Sequence, residues 1–279
     1  MTMLVSAPAA SHLPRFSGAS AHFEPHLFRT GLAILVLMVP TAFALAVDPR
    51  TLNDISIWIK PLKFQASVGI YLLTLAWFLA ALPEGVRHGR VVPVLVAVAT
   101  AASAFEIIYI TLQAGRGLAS HYNVGDPFHG VMYTLMGVGA VTLTAVSPAV
   151  AVLLWRDRPV RWSTAFWLSV LLGLVLTFVL GAGAGAVLSS GNGHWIGGVR
   201  SDAGGVPVFG WSRTGGDLRA AHFLGMHAMH VLPVVGLMAG RLLGSRQAIS
   251  GVVVAASAYS AGTGLVFWLA LRGIPLFPN

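Results

Sequence analysis

The chain has no cysteine, and charged residues make up only 9% of its 279 positions. The first absence removes disulfides, thiolate nucleophiles, cysteine-ligated zinc and iron–sulfur clusters. Any metal must be held by His, Met, Tyr or carboxylates. The second absence removes an ordinary soluble domain, in which about a quarter of the residues are charged. Seventeen Lys and Arg with nine Asp and Glu are too few to clothe a water-soluble surface. With 56% hydrophobic residues and a mean hydropathy of +0.78, the solvent for that surface is lipid. The net charge of +8 is spread in ones to threes between apolar runs. No basic stripe is interleaved with aromatics and no nucleic-acid motif occurs, so the excess reads as a topology signal, with no nucleic-acid partner.

A spanning helix needs roughly 20 mostly apolar residues, and seven stretches qualify, at about 27–47, 64–83, 91–113, 128–155, 163–189, 221–242 and 248–272. The expected fold is all-α, a polytopic integral membrane helical bundle of about seven transmembrane helices. Residues 1–26 read as a tail or surface helix. Residues 27–279 read as one transmembrane domain with a long Gly-rich loop at about 190–219. Pro40, Pro148 and Pro233 fall inside apolar runs and can kink their helices. The first run ends in Ala44-Leu45-Ala46, the small-residue pattern of a signal-peptidase site, but its leader is long for a signal peptide.

Short segments 84–90, 156–161 and 241–246 hold seven Arg, against seven Lys and Arg in the much longer 48–63, 114–127 and 190–219. The dense set marks the cytoplasmic side, which puts the N-terminus inside and the C-terminus outside, as in a bacterial cytoplasmic membrane. The outer loops are long and rich in Gly, His, Trp and Asp, the composition of loops that carry function.

Six of the ten histidines, His121, His129, His194, His222, His227 and His230, fall in these loops or in the outer halves of helices four and six. On a regular sixth helix His222, Met226, Met229 and His230 share a sector of about 100°. His222 and His230 are then about 12 Å apart along the axis, too far to share an ion, whereas His227 and His230 are close enough. Helix four aligns His129, Met132, Tyr133 and Met136. Helix three aligns Glu106, Tyr109 and Gln113, and an ionisable residue within a span marks function by default. Lys60, Lys63, Arg116 or a histidine can reach Glu106.

Imidazole with thioether suits copper, and His/His or His/Met pairs ligate haem iron. The expected site therefore has His129, His222, His227, His230 and Met226 as metal ligands. Lys63, Arg116, Tyr133 and Arg219 would hold the cofactor, and Glu106 would act as proton carrier or charge partner. The cofactor would be haem b or copper, and the partners the bilayer and a small molecule or redox protein at the outer face. HFLGM at 222–226 and MYT at 132–134 resemble the Met-His-Tyr/Phe motifs repeated in the MHYT family of membrane sensors. That likeness implies a copper site at the outer face, although the repeat order differs.

Two other readings use the same residues. A transporter or anion-binding protein would use Lys60, Lys63, Arg116, Arg219 and the start of helix six, where GGDLR presents free N–H groups, with the Gly-rich loop as a lid. A zinc-dependent membrane hydrolase would use Ser120, His121 and Asp126. The seven-helix zinc amidases of the ceramidase and adiponectin-receptor group pair two histidines four apart on the last helix, and the last apolar run here has none.

Overall fold

The computed structural model describes residues 23–278. Most of the predicted tail, residues 1–22, lies outside the described residues. Pro25 and His26 already belong to the first helix. The Glu24 carboxylate accepts from the N–H groups of His26 and Leu27, and Pro25 occupies the first helical position, where no donor is needed.

The chain is an all-α polytopic bundle and an integral membrane protein. Among the described residues six helices are long and apolar enough to cross a bilayer, or seven where a bent pair counts as one span. The first crossing is α1 (Pro25–Val36) and α2 (Met38–Val47), interrupted at Leu37. The break falls where Pro40 lacks an N–H and its ring crowds the Val36 carbonyl four residues back. Next come α3 (Ile59–Ala80), the single turn α4 (Glu84–Arg87), α5 (Val91–Gly115) and α6 (Pro127–Arg156). The fifth crossing is α7 (Thr164–Leu176), a π-helical turn at Thr177–Ala182 and α8 (Gly183–Ser190). The pair α9 (Leu218–Met226) and α10 (Ala228–Leu242) precedes the last helix, α11 (Ser245–Leu271). Helix α3 starts five residues before its apolar run, so Lys60 and Lys63 lie in its first turns.

The expected straight sixth helix is corrected by the structure: α9 and α10 meet at His227 with a bend of 48°. The cause lies in the neighbouring span. Ser169, Gly173, Thr177, Gly181 and Gly185 recur every four residues, and small residues let membrane helices touch backbone to backbone. A Cβ at Gly225 would stand 2.5 Å from the Gly181 nitrogen, and one at Gly236 would stand 2.0 Å from Ser169 Oγ. The break and the π turn face each other and satisfy each other. The Met229 N–H donates to Thr177 Oγ1 at 3.0 Å, and His222 Nδ1 to the Gly181 carbonyl at 2.8 Å.

The loops between α2 and α3, α5 and α6, and α8 and α9 gather at one end into a cap. Strands β1 (Thr51–Leu52) and β2 (Ile55–Ser56) form a hairpin whose turn residues, Asn53 and Asp54, both have positive φ. The Gly-rich loop pairs its own ends through β3 (Trp195–Ile196) and β4 (Gly216–Asp217), and ties to the hairpin through Asp202 N–H to Asn53 O and Ser201 to Asp54. Lys63 Nζ donates to the Phe209 carbonyl at 2.7 Å, fastening the loop to α3. Away from the cap, the core of α1, α3, α5, α6 and α7 is apolar, built on Leu72, Leu75, Phe78, Leu79, Val150 and Leu174.

Candidate functional site

The residues singled out in the sequence divide into a set held by protein partners in the cap and a second set beneath it. Asp217 caps α9 and holds the Arg219 guanidinium at 2.6 Å, and the same guanidinium reaches Asp202 at 2.7 Å and the Gly210 carbonyl at 2.7 Å. His194 Nε2–H donates to Asp202 at 3.0 Å. Burial alone would raise the Asp202 carboxyl, but His194 and Arg219 outweigh it and hold it below the usual range. Burial keeps His194 below 6.5, and hence neutral at pH 7. Arg219 and the start of α9 are thus committed to the cap, Lys63 is committed to Phe209, and Arg116 is exposed at the end of α5.

Beneath the cap, His121 lies between Phe64 of α3 and Tyr133 of α6, with both ring centroids 5.9 Å away. Burial, reinforced by the nearby Lys60 ammonium and by His222, holds its imidazole well below 6.5. Tyr133 and Tyr122 pack with ring centroids 5.5 Å apart and planes tilted by 49°, and donate to the Ser189 and Leu188 carbonyls, tying the last turn of α8 to this wall. His222 lies within electrostatic reach of His121 on one side and His227 on the other. The His227 and His230 rings are 5.0 Å apart. These four imidazoles come from the α5–α6 loop, α9 and the start of α10, and among them His227 and His230 are in ring contact. Both ring nitrogens of His230 are enclosed without a partner among the described residues.

The π turn fixes the chemistry of His222. A carbonyl accepts only from an N–H, so Nδ1 carries the proton and Nε2 keeps its lone pair, the arrangement that backbone carbonyls impose on metal-ligating histidines. Met226 sets its sulfur against Gly181, within 2.7 Å of where a Cβ would stand.

The expected convergence of His129, His222, His227 and His230 is reduced to neighbouring pairs. Among the described residues no three His, Asp or Glu side chains are placed to hold one metal ion. His129 stands apart at the head of α6, where Nδ1 bonds the Asp126 carboxylate and Nε2 is enclosed without a partner among the described residues. That hydrogen bond from His129 holds the Asp126 carboxyl below its usual range.

Glu106, on α5, is 3% exposed and makes no ion pair within 4 Å among the described residues. Lys60 is the charge whose field reaches it. His121 and Lys60 are the residues that the sequence-based ligand set leaves out. His121 carries no helical periodicity, and Lys60 precedes the apolar run. Comparison with protein-family models, with curated proteins and with solved structures finds no match.

Proposed function

We propose that this protein binds a copper ion through imidazoles beneath its cap and serves redox chemistry or metal handling on the side the cap faces. The distribution of Arg among the short loops makes that side the outside of a bacterial cytoplasmic membrane. The observation that carries the reading is His222: its Nδ1–H is taken by Gly181 O, so Nε2 is presented as a preset lone pair, with His121 and His227 within its electrostatic reach. A neutral His121 is the ligating form. Two imidazoles suffice for Cu(I), and imidazole suits copper. Copper is favoured over haem because Phe64, His121 and Tyr133 pack ring against ring where a macrocycle would need a slot. Arg219 and Lys63 already have protein partners, which speaks against an anion held by them.

Elemental analysis and an absorption spectrum of detergent-purified protein test this directly. Near-stoichiometric copper, lost in His222→Ala and weakened in His121→Ala while Arg116→Ala retains it, is the expected result. A Soret band would replace copper with haem. A metal-free protein from copper-replete cells, or copper unchanged in the His121/His222 double variant, would overturn the site.

A further inference from the structure

The buried face of α5 holds a second feature, independent of the copper reading. Ser103, Glu106 and Gln113 lie at i, i+3 and i+10 on that face, over about 15 Å of helix, and are 0%, 3% and 1% exposed. Each has an enclosed oxygen with no hydrogen-bond partner among the described residues: Ser103 Oγ, Glu106 Oε1 and Gln113 Oε1. Gln113 Nε2 donates to Tyr109 Oη at 2.7 Å, which leaves the phenol O–H free to donate onward. In lipid no outside solvent can satisfy these groups, and enclosed acceptors of this kind are normally served by ordered water.

Space for the carboxyl comes from α6, where Gly139 presents no side chain. A Cβ there would lie 2.9 Å from Glu106 Oε1. The groups around Glu106 are Lys60 from α3, Gly139 from α6 and Phe105 and Tyr109 from α5, so Lys60 is the one charge acting on it among the described residues. The two ends of the row differ. Towards the cap, Gln113 stands one turn from the exposed Arg116. In the other direction the same face continues as Ala99, Val96 and Val92, sealed into the apolar core.

We infer that this face is a one-ended proton well, in which water between Ser103, Glu106, Tyr109 and Gln113 carries protons between the cap-side solution and the Glu106 carboxyl. Loading forms one O–H bond on the carboxylate with a proton drawn from the cap-side water, and unloading reverses it. No electrons move, and the apolar core prevents passage to the far side.

Infrared difference spectra of the purified protein, recorded across a pH step in H2O and in D2O, test this with or without bound metal. The expected result is a protonated-carboxyl band that shifts on deuteration within the mixing time and vanishes in Glu106→Gln. Gly139→Val, which fills the carboxyl's space, should slow the exchange at least tenfold, and Gly139→Ala guards against a misfolded Val variant. Vesicles containing the protein and an internal pH dye should show no sustained proton leak. A band that survives Glu106→Gln, a carboxyl that stays protiated for hours in the folded wild type, or steady transmembrane proton flow would each overturn the inference.

Discussion

In the cap, Arg219 reaches Asp202, Asp217 and Gly210 O, while His194 completes Asp202. In the bundle beneath it, Ser103 Oγ, Glu106 Oε1, Gln113 Oε1 and both ring nitrogens of His230 are enclosed too, yet these atoms lack partners among the described residues. Both regions draw on His, carboxylates and cations. Their hydrogen-bond partners set the two apart. A buried charge with every partner in place holds two segments together, whereas an enclosed acceptor left open marks a place for something the chain does not itself supply.

The comparison breaks most severely at Arg219. Arg219→Ala leaves Asp202 and Asp217 buried without their cation, a loss of about 3–5 kcal/mol. It should appear as a large drop in the melting temperature in detergent and as rapid proteolysis within 191–217. Acid comes next. His121 and His194 titrate below 6.5 in the folded chain. The unfolded chain therefore takes up protons that the folded chain does not, and stability falls as pH drops from 6.5 towards their lowered values. The slope is about 1.4 kcal/mol per pH unit for each histidine. Melts between pH 5 and 8 should be flat above 6.5 and fall below it, and His194→Gln should remove part of the slope. Thr177→Val, which orphans the Met229 N–H at the helix break, should cost about 1–2 kcal/mol, with Thr177→Ser recovering most of it in the same melts. Smallest of all is Glu106→Gln. It removes a buried ionisable group that forms no ion pair among the described residues, so the melting temperature should hold or rise, the opposite of Arg219→Ala.

Much of the architecture is legible in the apolar runs, because lipid cannot satisfy a backbone and each long run must close its own hydrogen bonds as a helix. The seven runs fold as six helices long enough to cross and one bent pair, and the His-rich loops meet at one end. The break at His227 is not visible in hydropathy. Its origin is the approach of Gly225 to Gly181, and the signal that points to it is the four-residue spacing from Ser169 to Gly185. The site was only partly readable. The placement of His222 and Glu106 within spans singles them out as candidates, but Arg219, read as a cofactor or anion ligand, is held by Asp202, seventeen residues earlier and across the cap. His121 gains its position from Phe64 and Tyr133, each on a different helix.

The sequence by itself determined an all-α membrane bundle and the end of it that gathers the polar side chains, since both follow from local hydropathy and the geometry of a helix in lipid. Which of those side chains are satisfied was decided only by the tertiary structure. The deciding partners, such as the Phe209 carbonyl for Lys63, 146 residues away, and the Gly181 carbonyl for His222, lie far off in the chain and meet only when the helices pack.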